Sequence, residues 1–373
     1  MKKNVLQIIG SFHQGGSERQ AVQLTRLLRE DDSFNVLLAA LNNEGVLKSE
    51  AERIVFTDIP EFPLTSFYNL NFLKQLKRCA GFIKENRIEI VHTHDFYTNV
   101  FGIAAARLAR VPLKIASKRE TSGMRSPLQM KIERRIFSIA NQIVANSKAV
   151  KNYLINEGIR AEKINVVYNG LDLERLAPKE TSRRTICEEL NLPTDENVKF
   201  ITLVANLRHT VKNQRMFLRA AKAVSEKIPE AHFVMAGEGE LKDDLENMAQ
   251  EFKILERTHF IGRCQNVPEL LSVSYTGVLT SYAEGFSNSI LEYMAARLPV
   301  IATNVGGAGE AITENKTGFI VESNDDKTMA ERIIYLLENP EKAREMGIGG
   351  RKVIEEKFSC ETQLRKTLEL YGK

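Results

Sequence analysis

The 373-residue chain is 43% hydrophobic and 27% charged, with a formal net charge of +4, the composition of a globular protein long enough for two domains. No apolar stretch approaches the ~20 residues needed to cross a bilayer. The four cysteines (Cys79, Cys187, Cys264, Cys360) are scattered without metal-type spacing, so a reduced, cytoplasmic setting is expected.

The basic start Met1-Lys2-Lys3 is followed by an apolar run too short for a signal peptide, which reads as a first strand. Strands are predicted over Val5–Ile9, Asn35–Ala40, Ile90–His92, Leu113–Ala116 and Gln142–Ala145. Helices are predicted over Glu18–Glu30, Phe72–Asn86, Asn99–Ala109 and Leu128–Ile139. Strand–helix alternation implies a parallel sheet covered on both faces. A polar stretch over 178–197 follows. The pattern then restarts with strands over Phe200–Val204, Ala231–Ala236, Thr258–Ile261, Gly277–Thr280, Val300–Ala302 and Gly318–Val321, and helices between them beginning with Gln214–Lys227. The fold class is therefore α/β, with two doubly wound, Rossmann-like domains and a linker near 170–180. Ligands in such sheets bind beyond the carboxyl ends of the strands, and a cleft between two facing domains is the expected site. The two halves differ in charge: residues 1–173 hold 25 Lys and Arg against 17 Asp and Glu, and the remaining 200 hold 27 against 31.

Glu284 and Glu292 flank a predicted helix start in Ser281-Tyr-Ala-Glu-Gly-Phe-Ser-Asn-Ser-Ile-Leu-Glu292. Ser287 is placed to cap a helix running to about Arg297, where Leu298-Pro299 stops it. One carboxylate lies in the strand-to-helix loop and one on the first turns. Between them, backbone N–H groups face the crevice, an arrangement suited to a ligand with hydroxyls at both ends and phosphate in the middle. Arg208 and Lys212 follow another strand end, where two fixed cations can neutralise a pyrophosphate, or form a solvated loop. No Asp-x-Asp pair for a sugar-nucleotide-bound divalent ion occurs in the chain. Gly15-Gly16 opens the first helix and permits close backbone approach to phosphate or sugar, or makes a plain tight turn. It is not the G-x-G-x-x-G fingerprint of dinucleotide binding. His94 sits past a strand end, as a proton-transfer group or a capping or core residue, with His92 assigned to the opposite face. Asn169-Gly170 reads as a structural turn at positive φ. Gly306, Gly307 and Glu310 form a second glycine-rich loop.

In this order, these elements resemble the retaining glycosyltransferases of GT-B architecture, the large Glu-x7-Glu group of bacterial group 1, family-four type, over essentially the whole chain. The resemblance implies an acceptor domain over 1–172 with the C-terminal helix 358–373 packing back on it, and a donor domain over 173–357. Glu292 would hold the ribose and Glu284 the transferred sugar. Arg208 and Lys212 would grip the diphosphate, with Gly285, Phe286, Ser287, Asn288 and Ser289 at the helix start. Gly262 and Arg263 would lie near the base, Gly15 and Gly16 on the phosphate and acceptor side, and His94 by the anomeric carbon. The implied donor is a UDP- or GDP-linked sugar, with no metal and no other cofactor. The implied chemistry is front-face hexosyl transfer with retention, Glu284 as a covalent nucleophile being the minority alternative. Implied acceptors are polysaccharide, lipid-linked or glycolipid glycans of the cell envelope. The family's usual arginine before Leu207 is here Asn206, and Arg208 is the substitute.

Nine basic residues between Arg107 and Arg135 face only Glu120 and Glu133, pointing to acceptor or anionic-membrane contact on the inner face of the cytoplasmic membrane. The similarly basic Phe72–Lys84 reads as a sheet-covering helix with a solvated face. Nucleic-acid binding does not fit a chain without Trp and without aromatic–basic interleaving. The competing functions are a nucleotide-sugar epimerase of the same fold and a non-catalytic nucleotide-sugar-binding subunit.

Overall fold

Strands built from unbroken apolar runs are covered on both faces, and the chain meets this requirement twice. The computed structural model describes residues 2–13, 15–67, 69–121, 125–178 and 180–372. The first set of elements is β1 (Lys3–Ile9), α1 (Gly16–Glu30), β2 (Phe34–Ala40), α2 (Lys48–Val55), α3 (Leu70–Glu85), β3 (Ile90–Thr93), α4 (Phe96–Leu108), β4 (Leu113–Lys118), α5 (Pro127–Ile139), β5 (Gln142–Ala145), α6 (Lys148–Asn156) and β6 (Ile164–Val166). The strands form a parallel sheet in the order β2-β1-β3-β4-β5-β6.

The second set is α7 (Arg183–Glu189), β7 (Lys199–Val204), α8 (Gln214–Ser225), β8 (Ala231–Ala236), α9 (Lys242–Glu251), β9 (Thr258–Gly262), α10 (Val267–Val273), β10 (Ser274–Leu279), α11 (Asn288–Ala295), β11 (Val300–Thr303), α12 (Ala308–Ala311), β12 (Gly318–Val321), α13 (Asp326–Glu338), α14 (Pro340–Lys357) and α15 (Cys360–Tyr371). Its strands form a second parallel sheet, β12-β11-β10-β7-β8-β9. The expected α/β fold with two doubly wound, Rossmann-like sheets is what the structure shows. Among the described residues, no helix is long and apolar enough to cross a membrane.

The chain divides into two units, Met1–Gly170 with Cys360–Lys373, and Leu171–Ser359. Both crossings fall at one place, where Leu171 N–H donates to the Phe358 carbonyl (2.8 Å) and Leu171 bridges Ser359. Helix α15 therefore belongs to the first unit. Tyr371 is buried there, its ring edge-on to Phe34 at 5.4 Å, and Gln363 Nε2 donates to Gln20 Oε1 at 2.9 Å.

Helix starts are set by caps that periodicity does not reveal. Helix α4 begins at Phe96, not Asn99, because Asp95 accepts from the amides of Tyr97 and Thr98 and Thr98 returns a bond. Helix α7 forms within the supposed polar stretch, capped by Ser182. Asn169-Gly170 makes no positive-φ turn, since neither residue is left-handed. Glycine is needed at 170 for space: a Cβ there would stand 2.7 Å from Gln363 Oε1. The Gly170 carbonyl meanwhile accepts from Gln20 and Gln23.

Candidate active site

The order of each sheet reverses between two strands, β1 and β3 in the first unit and β7 and β10 in the second. Loops leaving such a pair diverge and open a crevice beyond the carboxyl ends. In the second unit these are loops 205–213 and 280–287, and they are bonded to each other. Thr280 Oγ1 donates to the Lys212 carbonyl (2.8 Å) and Tyr282 N–H to the Val211 carbonyl (2.8 Å).

Lys212 ends a 3-10 turn over Thr210–Lys212, and Asn213 follows in the left-handed region (φ 49°). Lys212 Nζ donates to Glu284 Oε1 at 2.6 Å, and Ser281 Oγ donates to the same oxygen at 2.7 Å. With side chains 24% and 13% exposed, the pair keeps contact with solvent at the mouth of a crevice. Gly306 packs against the backbone of Glu284 and Gly285. Its φ is 53°, and a Cβ would fall 2.4 Å from the Glu284 carbonyl oxygen. Gly307 N–H donates to the Gly285 carbonyl at 2.8 Å. The second glycine-rich loop thus supports the loop that holds Glu284.

Glu292 is buried on the second turn of α11. Its neighbour Tyr293 holds that helix to the sheet by accepting from Val204 N–H at 2.7 Å. Ser287 stands at the N-cap, but its hydroxyl pairs with Ser289 Oγ (2.9 Å) and does not cap. Helix α11 ends at Ala295, short of Arg297, which takes a left-handed turn (φ 60°). Gly285 and Phe286 are buried in the loop and Asn288 opens the helix. Arg208 is 56% exposed and paired with Glu238 at 2.9 Å, apart from the Lys212–Glu284 pair. Gly262 (φ 66°) and the exposed Arg263 lie at the end of β9, three strands along the sheet from β10. A cavity of about 550 Å³ flanks β9 beside Arg263 and His259.

At the first unit's switch point the polar groups are buried and linked in series. His94 Nε2 donates to Gln7 Oε1 (2.6 Å) and Gln7 Nε2 to Tyr371 Oη (2.8 Å); His92 is hydrogen-bonded through Nδ1 to Tyr371 Oη (2.9 Å) and through Nε2 to Ser117 Oγ (2.9 Å). The acceptor left on His94, Nδ1, lies 3.4 Å from an Arg119 nitrogen. Arg119 also donates to Asn169 Oδ1 at 3.0 Å. Because Gln7 Oε1 can only accept, His94 is the neutral Nε2–H tautomer, while the two hydroxyl partners of His92 accommodate either neutral tautomer. Burial pushes His94 well below the ordinary histidine range, with His92 and Arg119 adding to the shift. Burial, helped by Arg119, pushes His92 down to about 3. The assignment of His92 to the opposite face is corrected: residues two apart on a strand share a face, and the two rings stack with centroids 4.5 Å apart.

Two carboxyls stand beside this network. Burial raises both Glu18 and Asp95, against hydrogen bonds that lower them. Glu18 folds back over Gly15, where a Cβ would lie 2.1 Å from Glu18 Oε2, while Gly16 begins α1. Arg119, Gln7, Ser281 and Tyr371 are the partners sequence reading missed. The one signal available was Gln7, the polar interruption of the apolar run Val5–Ile9. Among the described residues, no group of three or more His, Cys, Asp or Glu is placed to hold a metal ion.

The chain is similar to known proteins in sequence and in fold. The model of the family described as Glycosyl transferases group 1 matches residues 186–353, and that of Glycosyltransferase Family 4 matches residues 14–175. The Escherichia coli UDP-Gal:alpha-D-GlcNAc-diphosphoundecaprenol alpha-1,3-galactosyltransferase is 29% identical over 284 residues, 73% of each chain. The N-acetyl-alpha-D-glucosaminyl L-malate synthase of Bacillus anthracis is 32% identical over 217 residues, 57% of this chain and 55% of that protein. The crystal structure of Anabaena Alr3699/HepE in complex with UDP superposes with a TM-score of 0.86 at 21% identity, covering 100% of both chains.

Proposed function

The chain is a group 1 glycosyltransferase of the GT-B type that uses a nucleotide sugar, and from that premise we propose that it transfers a hexose-type sugar from a UDP-linked donor, with retention, to a lipid-linked glycan of the cell envelope. The observation that carries the donor assignment is the Lys212–Glu284 pair at the second unit's switch point, in front of the start of α11. UDP is favoured over GDP because the E. coli relative uses UDP-Gal and the Anabaena protein binds UDP. The lipid-linked acceptor is favoured by the diphosphoundecaprenol acceptor of the same E. coli relative.

In this reading Lys212 leaves Glu284 Oε1 to meet the diphosphate, and Arg208 exchanges Glu238 for it. Glu284, held by Ser281, then accepts from hydroxyls of the sugar, and Glu292 accepts from the ribose. As the bond from the anomeric carbon to the leaving phosphate oxygen breaks, negative charge grows on the diphosphate. The two cations and the first amides of α11 stabilise it there in place of a metal ion. The acceptor hydroxyl attacks from the same face and passes its proton to that leaving oxygen. His94, neutral and with both nitrogens engaged, orients groups on the acceptor side and takes no proton itself.

Glu284→Ala and Lys212→Ala test the assignment. Each should lower transfer by about 10²–10³ with the circular dichroism spectrum unchanged. Full activity in either folded variant removes the assignment.

A further inference from the structure

We infer that the outward face of α3 is a docking surface for an anionic lipid bilayer; the inference rests on the lipid-linked acceptor proposed above. At about 100° per residue, Leu70, Leu73, Lys74, Lys77, Gly81 and Lys84 fall on one stripe of the helix. The opposite side buries Gln75, Cys79 and Ile83. Leu70 is 83% exposed and Leu73 is 52% exposed, although a leucine turned to water forgoes the stabilisation of burial. Lys74, Lys77 and Lys84 are exposed beside them, and no acidic residue occurs between Glu61 and Glu85. Arg78 is not part of the face: it turns back over the Phe62 ring (4.9 Å) and onto the Glu61 carbonyl.

The two leucines also line an apolar groove of about 840 Å³ with Phe67 and Phe72. Phe67 stacks on Tyr97 (5.6 Å, 26°), the second residue of α4. A chain lying in the groove is therefore led toward the loop after β3 that carries His94 and Asp95. The surroundings match an anionic partner: the first unit holds 28 Lys and Arg against 18 Asp and Glu, and the second 24 against 30.

In the stretch 107–135, favoured on sequence for this contact, four of the nine basic side chains are taken up by partners, while Arg107, Arg110, Lys131 and Arg135 stay exposed. Lys118 is buried on Glu133 (2.9 Å), Arg125 pairs with Glu120 (2.8 Å), Arg119 belongs to the His94 network and Arg134 pairs with Glu157. Residues 122–124 of that stretch lie outside the described residues. Leucines at one end of a cationic stripe fit a bilayer, where apolar side chains enter the acyl boundary and lysines reach the headgroups.

The test is co-sedimentation of the full chain with vesicles of phosphatidylcholine alone or with phosphatidylglycerol, at low and high salt. The wild type should bind the anionic vesicles and be released by salt. Lys74→Glu/Lys77→Glu should lower its partition coefficient more than about tenfold, since each basic residue near such a surface contributes about fivefold. Leu70→Asn/Leu73→Asn should lower it about tenfold, whereas Lys131→Glu/Arg135→Glu on α5 should change it less than about threefold. All six side chains are exposed, so the variants should fold, which circular dichroism checks. Absence of binding by the wild type, equal binding to neutral vesicles, or wild-type binding by either α3 variant overturns the inference. So does finding that the α3 variants lose only self-association or binding to another protein. A thermal shift with UDP, read on the same samples, separates the two proposals: UDP binding without vesicle binding removes this one and leaves the donor site standing.

Discussion

The first unit turns the polar groups at its switch point inward, while the second presents its own at the mouth of the crevice. His92, His94, Gln7 and Tyr371 form a buried, neutral series ending on Ser117. Lys212 and Glu284 form a charged pair that is still partly exposed. A buried neutral network is rigid and expensive to break, because each orphaned member loses its partner without regaining water. A partly exposed ion pair contributes little to stability but changes partners readily. The same sheet architecture thus provides a fixed surface in one unit and an exchangeable pair of charges in the other. Charge balance follows the same division, basic in the first unit and acidic in the second.

Substitutions distinguish the two kinds of site, and the largest effect is expected on chemistry in the second unit. Lys212→Ala and Glu284→Ala should each lower turnover about 10²–10³ while shifting stability by less than about 1 kcal/mol, measured by steady-state rates and urea melts. In the first unit, pH should act on stability instead. The native state keeps His92 and His94 neutral while the unfolded chain protonates them near pH 6.5, so the unfolded state binds more protons as pH falls. Stability is then fully present above about pH 6.5 and declines as pH falls, by about 2 kcal/mol for His92 between pH 6.5 and 5, with His94 acting in the same direction. The raised carboxyls of Glu18 and Asp95 act in the opposite sense. His92→Asn should flatten the decline, and a profile unchanged by that variant would break the contrast.

Smaller effects probe the supports. Gly306→Ala places a side chain against the Glu284 carbonyl at a positive φ and should destabilise by about 1–3 kcal/mol. Its melting temperature should recover little in the presence of UDP. Tyr371→Phe removes one hydroxyl that serves both Gln7 and His92 and should destabilise by about 1–3 kcal/mol. Its affinity for UDP, by calorimetry, should be unchanged.

The sheets were legible because buried parallel strands are continuous apolar runs, and Phe200–Val204 or Gly318–Val321 read as nothing else. Helix starts were less legible. Asp95 and Ser182 fix theirs through side-chain bonds, and the short α2, α6 and β6 carry too few residues for a period to show. Within the candidate site, Glu284, Lys212 and His94 were visible as residue types at strand ends. Their partners were not. Ser281 lies three positions from Glu284 and was passed over, while Gln7 lies 87 residues from His94 and Tyr371 a further 277 along the chain. No local pattern reports such pairings. Asn169-Gly170 misled because the dipeptide favours a turn, whereas the packing of Gln363 is what required the glycine.

Lys212 exchanges Glu284 for the donor diphosphate in the proposed reaction, and calorimetric titration of UDP into the wild type and into Lys212→Ala and Glu284→Ala tests this most directly. The predicted result is UDP binding weakened at least about tenfold by Lys212→Ala, as expected for a lost charge-assisted bond. Glu284→Ala should bind UDP as tightly as the wild type or more tightly, because the lysine is released from its partner. Equal UDP affinity in the wild type and Lys212→Ala would contradict it.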